Sequence, residues 1–180
     1  MHAIKSAIGI CWIVFWVGWL AAALGSKQGR ASSRRMPCAG VTALSVIIVL
    51  RVAGGSSLEV HSLGLVVVGA VVFACGLALA IWARVYLGGN WGMPMTQKLE
   101  PELVTTGPYR FVRHPIYSGL LLALLGTTLA NNLFGLIVLL VAGAYFIYAA
   151  TVEERNLAAT FPTTYPAYRE RTRKLIPFLL

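Results

Sequence analysis

Long apolar stretches leave this chain few folds to choose from. Residues 6–24, 63–83, 116–130 with their flanks, and 133–151 are each apolar over a membrane-scale length. Crossing roughly 30 Å of hydrocarbon takes about 20 such residues in a helix. No water there can pair with backbone N–H and C=O groups, so a segment that crosses must bond to itself. A fifth stretch, 38–53, is shorter and carries Arg51 at its far end, where the long side chain reaches the interface. Hydrophobic residues make up 58% of 180 positions and charged residues 12%, which excludes an ordinary soluble domain. The expected fold is an all-α integral membrane protein of about five transmembrane helices.

The basic residues test that count. Lys27, Arg30, Arg34 and Arg35 follow the first span, and Arg84, Lys98, Arg110 and Arg113 lie between the third and fourth. Arg155, Arg169, Arg171, Arg173 and Lys174 follow the fifth. Five spans put all three groups on one face, so that of 15 basic residues only Lys5 and Arg51 fall elsewhere. The positive-inside rule makes that face cytoplasmic, with the N-terminus outside and the C-terminus in the cytoplasm. The opposite loops, 54–62 and 131–132, contain no lysine or arginine. The net charge of +9 is then a topology determinant attracted to the lipid bilayer's anionic headgroups, and does not point to nucleic acid. The first span has Lys5 before it and Ala-Ala-Leu-Gly after it, like a secretory signal. Its apolar run is too long for one, and the basic cluster behind it resists translocation, so it is expected to remain as a helix.

Other chemistries lack their residues. Cys11, Cys38 and Cys75 form no CxxC pair, which supports neither a redox couple nor a metal site, and they read as small packing residues. The chain has no aspartate, no GxGxxG and no Walker A sequence. No internal repeat of the kind that builds transporters is visible.

The densest polar stretch is Thr106-Gly-Pro-Tyr-Arg-Phe-Val-Arg-His-Pro-Ile-Tyr-Ser-Gly119. It closes a segment, 85–113, whose early part is too rich in glycine and proline for regular helix. Pro115 suits the first turn of a helix, where its missing N–H costs nothing. The fourth span therefore starts near His114, with a positive dipole end facing the polar segment. Gly119, Ala123 and Gly126 follow at helical spacing and offer one small-residue face for close packing. Two readings of the run stand side by side. Arg113 and His114 anchor a helix end beside an aromatic belt, or they line a ligand site.

Glu153 and Glu154 favour the second reading. They end the fifth span on the same face, where acids oppose the helix dipole and cap nothing. If spans four and five form a hairpin through Asn131 and Asn132, these carboxylates meet His114 and Tyr117 at one membrane level. A carboxylate, a helix N-terminus and aromatic rings suit a zwitterionic ligand with a cationic centre. S-adenosylmethionine has that chemistry.

At this point the motifs resemble a known family. Gly89-Asn90-Trp91, Glu102-Leu-Val-Thr-Thr-Gly-Pro-Tyr109, Arg113-His-Pro-Ile-Tyr117, Glu153-Glu154 and Phe161-x3-Tyr165-x2-Tyr168-x8-Pro177-Phe178 are similar, as an ordered set, to isoprenylcysteine carboxyl methyltransferases. That family lies within a wider group that includes phospholipid methyltransferases, and this chain looks like a short, prokaryote-type member of a cytoplasmic membrane. The resemblance covers residues 82–180 and spans one and two only in hydropathy. It implies three N-terminal spans over 1–84 and a methyltransferase core over 85–180. It implies a cytoplasmic cofactor pocket formed by the loop before span four, the ends of spans four and five and the C-terminal segment. There, S-adenosylmethionine is held by Leu103, Val104, Tyr109, His114, Pro115, Tyr117 and Glu153, with Thr96 or Gln97 contributing. The family's prenylcysteine-specific members carry an arginine four residues before the first glutamate; here Ala149 stands in that place, which argues against prenylcysteine as acceptor. The implied acceptor is a lipid-like or small apolar carboxylate, thiol or amine. Arg173 is a candidate contact to it, from a C-terminal segment read either as an interfacial anchor or as a lid. No residue stands out as a general base. The alternatives are a membrane reductase using NADPH and a non-catalytic membrane or transport protein.

Overall fold

A computed structural model describes residues 1–23, 29–31, 58–91, 96–98 and 102–176. The expected second span, 38–53, lies outside the described residues, as does Cys38. The helices are α1 (His2–Ala23), α2 (Leu63–Leu87), α3 (Pro115–Ala130), α4 (Gly135–Thr160) and the short α5 (Tyr165–Arg171), with single 3-10 turns at Gly88–Asn90 and Gly107–Arg110. Among the described residues, α1, α2 and α4 are long and apolar enough to cross a membrane, and the apolar α3 is shorter. The protein is an integral membrane protein of helical fold.

Local chemistry sets the boundaries. The Ser62 side chain accepts a hydrogen bond from Leu65 N–H and caps α2. Gly88, at φ 53°, ends it in a conformation that a side chain disfavours. Pro115 opens α3 with His114 as its N-cap residue, as the sequence implied. Two helices outrun their apolar stretches. α2 continues past residue 83 to Leu87, and α4 continues past residue 151 to Thr160. Glu153 and Glu154 therefore sit inside α4 and do not close it; their charges are balanced by side chains from elsewhere, so nothing forces the helix to stop.

Packing centres on α2 against α3. Gly69, Phe73, Gly76 and Ala80 face Gly119, Ala123, Gly126 and Ala130, the small-residue face expected for α3. A Cβ placed on Gly119 would lie 2.7 Å from Ala80 N and 2.7 Å from Gly76 O, so the two backbones nearly touch. In lipid, where burying apolar surface gains little, such close van der Waals contact holds helices together. α1 joins them through Ile8, Phe15 and Trp19, and Trp12 Nε1 donates to Thr127 Oγ1 at 2.9 Å. Cys11 and Cys75 do not pack between helices as expected. Both are exposed on outward faces.

The two ends of the helices are tied separately. At one end, Val60 N donates to Asn131 O (3.0 Å) and Leu133 N to Leu58 O (3.1 Å), while Lys5 Nζ pairs with Glu59 Oε1 at 2.7 Å. At the other, β1 (Gly29–Ala31) pairs antiparallel with β2 (Thr96–Lys98), matching Arg30 to Gln97, and 112–114 run beside 173–174. The segments that charge distribution assigns to opposite membrane faces do lie at opposite ends. If the basic end is cytoplasmic, a periplasmic-type reporter fused before Met1 and a cytoplasmic-type reporter fused after Leu180 will both be active. Cytoplasmic signal from both fusions would refute the odd number of crossings.

Candidate functional site

The basic end holds a buried cluster of ionic and aromatic side chains. Arg113 is at its centre. Its Nε donates to Glu154 Oε1 at 2.8 Å, with both side chains under a tenth exposed. Its Nη1 donates to Arg169 O (3.1 Å) and Thr172 O (2.5 Å). An arginine fork suits such a junction because its donors lie in one rigid plane. The backbone extends the clasp: Arg113 N donates to Arg173 O (2.8 Å) and His114 N to Lys174 O (3.0 Å). Ser118 Oγ donates to Leu175 O at 2.5 Å and Tyr168 OH to Tyr109 O at 2.7 Å. Lys174 Nζ reaches Thr151 Oγ1 (3.0 Å) and stands 3.7 Å from Glu154 Oε2. Glu154 is thus enclosed by cations, and the segment after α4 is fastened back onto the start of α3.

Glu153 has a different environment. Its Oε1 accepts a 2.6 Å hydrogen bond from Tyr117 OH, and its Oε2 lies 3.4 Å from His114 Nδ1. A quarter of its side chain is exposed. The His114 ring bridges the two acids, because its Nε2 is 3.4 Å from Glu154 Oε1. That contact is electrostatic and not an aligned hydrogen bond, since Nε2 is buried with no hydrogen-bond partner among the described residues. Burial alone would lower the His114 pKa, but the carboxylates of Glu153 and Glu154 outweigh it and hold the ring above its usual value. The His114 ring stacks on Tyr117 (centroids 5.5 Å apart, 7° between planes) and Tyr117 on Phe146 (4.6 Å, 12°). This aromatic column runs from the polar end into the apolar interior.

Burial raises the Tyr109 hydroxyl far above its usual pKa, with Tyr168 and Glu153 adding to the effect; Tyr165 is pushed up to about 12, chiefly by burial. Both rings are therefore neutral and buried.

His114, Pro115, Tyr117 and Glu153 come together as the sequence implied, and Tyr109 lies within electrostatic reach of Glu153. Leu103 and Val104 sit half-buried in the extended segment before the 3-10 turn. Among the described residues no hydrogen bond or ring contact joins them to the cluster; Asn90 Nδ2 fixes their neighbour by donating to Glu102 Oε2 at 3.0 Å. Thr96 and Gln97 fall in β2. The Arg173 side chain is exposed, while its backbone forms the bridge to Val112. Lys174, not Arg173, reaches inward. Ala149 is fully buried, packed with Tyr117 and Leu175, which leaves no room for an arginine at that position without rearrangement.

Sequence reading missed the roles of Arg113, Glu154 and Lys174. Their pairing had one faint signal, a cation beside His114 and a second acid beside Glu153 in a chain with only 6 acidic residues. It also missed Arg84, whose guanidinium lies over Trp91, 3.6 Å from the ring centroid, and 5.2 Å from that of Trp19.

The donor set fits S-adenosylmethionine in kind. A partly exposed carboxylate beside buried aromatic rings can meet a sulfonium and hydroxyl groups.

Helical fold and polar end together define an integral membrane protein with a buried ionic and aromatic cluster at the basic end of its helices. The chain belongs to the phospholipid methyltransferase family, whose model matches residues 65–164, more than half its length. This bears out the resemblance read from the motifs. It is 34% identical over 115 residues to the protein-S-isoprenylcysteine O-methyltransferase of Schizosaccharomyces pombe, covering 61% of this chain and 49% of that protein. It is 42% identical over 71 residues to methanethiol S-methyltransferase 2 of Bradyrhizobium diazoefficiens (39% and 27%). It is 31% identical over 110 residues to a cobalt-zinc-cadmium resistance protein of Cupriavidus metallidurans (58% and 47%). The chain thus spans about half or less of the length of these three relatives.

Proposed function

We propose that the chain is a membrane-embedded methyltransferase that uses S-adenosylmethionine and acts on a lipid-like or small apolar acceptor. The observation that carries this reading is the unequal environment of two neighbouring acids. Glu154 is enclosed by Arg113, His114 and Lys174 and serves the fold. Glu153 keeps an exposed part beside His114 and Tyr117 and serves a ligand. The family and two relatives whose names state O- and S-methyl transfer support the same reading.

When bound, S-adenosylmethionine supplies a methyl group activated on a sulfonium. The chain's own residues have little covalent work to do. Glu153 offers negative charge and hydrogen-bond acceptance to the donor's cationic and hydroxyl groups. Tyr117 orients that carboxylate through its hydroxyl, with its ring stacked on those of His114 and Phe146. Tyr109 packs behind them as a neutral phenol. The clasp built by Arg113 and Glu154 holds the C-terminal segment over the site and keeps water out, so that binding supplies proximity and orientation. An acceptor enters from the bilayer side, where the exposed helix faces are apolar. A carboxylate or thiolate acceptor needs no strong base, and the site offers none in plain view.

S-adenosylhomocysteine is expected to raise the melting temperature of the detergent-solubilised protein, and NADPH is not; the reverse would favour a reductase. Glu153→Gln keeps shape and removes charge. It should weaken S-adenosylhomocysteine binding roughly tenfold to a hundredfold, the loss expected for a charged hydrogen-bond partner. Unchanged affinity by calorimetry would remove Glu153 from the site.

A further inference from the structure

We propose that Arg84 is the anchor for a carboxylate group of a bound ligand, an assignment that deepens the methyl-donor reading and rests on it for one of two carboxylate sources. Arg84 lies near the end of α2, with its guanidinium over the Trp91 ring, 3.6 Å from the centroid, and the Trp19 ring, perpendicular to that of Trp91, 5.2 Å away. A guanidinium stacked this way directs all its N–H groups sideways, in the plane of the group and off the ring. Its Nη1 is buried and, among the described residues, has no hydrogen-bond partner. Leaving a buried charged donor unpaired is costly, and a stacking contact does not satisfy it. A second buried orphan stands close in sequence: Asn90 Oδ1, an acceptor, in the residue before Trp91.

The location matches the site. Arg84 interacts electrostatically with Tyr109, which also feels the Glu153 carboxylate. The apolar cluster containing Trp19 and Trp91 and the one containing Tyr117 share Ile116 and Phe146. A cation and an anion that both act on Tyr109 complement a ligand carrying both charges. A planar fork with an unpartnered Nη1 selects a carboxylate, which it can bind through two oxygens. The carboxylate belongs either to the amino-acid end of the methyl donor or to an acidic apolar acceptor. The buried Asn90 acceptor, next in sequence to Trp91 and suited to an ammonium, favours the first.

The test compares the full chain with Arg84→Gln in detergent, by calorimetry and thermal shift. Four probes are used: S-adenosylhomocysteine, 5′-methylthioadenosine (the same nucleoside without the amino-acid end), decanoate and decanol. Arg84→Gln is expected to weaken S-adenosylhomocysteine binding roughly tenfold to a hundredfold and to leave 5′-methylthioadenosine unchanged. Selective loss of decanoate relative to decanol, with the nucleosides unaffected, upholds the subsite and assigns it to the acceptor. Equal binding of all four probes by both proteins overturns the proposal. So does an equal loss for probes with and without a carboxylate, which would mark Arg84 as structural. If the unaltered protein binds neither nucleoside, the methyl-donor reading fails, and the decanoate–decanol contrast decides Arg84 alone. Should Arg84→Gln not fold, Arg84→Lys, which keeps the charge and loses the fork, is read against the same criteria.

Discussion

Glu154→Ala is expected to destabilise the protein by about 3–5 kcal/mol, the usual consequence of removing one partner from a buried ion pair. The cost comes from what remains. Arg113 would keep its place under the C-terminal segment with its Nε unpaired, and His114 and Lys174 would face it without the carboxylate that separates them. The clasp onto Arg169 and Thr172 would loosen with it. Glu153→Ala should cost less, because that side chain is a quarter exposed and water can replace part of its bonding. The double variant Arg113→Ala with Glu154→Ala should be less destabilised than the two single losses combined, since the second change removes an already orphaned charge. Denaturant unfolding in a fixed detergent compares the unaltered chain with these three variants and with Arg113→Ala. Equal costs for Glu154→Ala and Glu153→Ala would show that Glu154 is not the structural member of the pair.

Gly76→Leu is expected to separate α2 from α3. Even an alanine Cβ there would stand 2.6 Å from Gly119 O and 2.8 Å from Ala123 Cα. Those atoms are backbone in a packed helix, so no side chain can swing away to make room. Overpacking of this kind costs about 1–3 kcal/mol for one or a few added carbons, and leucine should exceed that range. Gly9→Ala in α1 is the control: nothing lies within 4 Å of the added carbon, and the change should gain about 0.5–1 kcal/mol of helix propensity. Melting temperatures of the three proteins give the answer. A Gly76→Leu protein as stable as the unaltered chain would mean that the α2–α3 contact is looser than described.

What was legible in the sequence is what depends on local physics. Hydrocarbon thickness and the cost of unpaired backbone groups identify α1, α2 and α4 from residue type alone. Pro115 marks the start of α3 because its ring and missing N–H restrict it to that place. Gly119, Ala123 and Gly126 announced a close contact by spacing, and the ordered motifs brought His114, Tyr117 and Glu153 into one group. Residue type alone could not separate two adjacent acids; only the family resemblance implied Glu153 as the cofactor contact. Glu153 and Glu154 are chemically alike and differ by about 100° around the helix, so the assignment depended on what each direction meets. Tertiary structure brought Arg113 and Lys174 to Glu154, and Tyr117 to Glu153. It also carried α4 two turns beyond its apolar stretch and turned Cys11 and Cys75 outward. For these side-chain pairs the deciding partner lies far away along the chain, where residue type and spacing carry no information about approach; the packing of α4 beside α3 and the fold-back of the C-terminal segment set those distances.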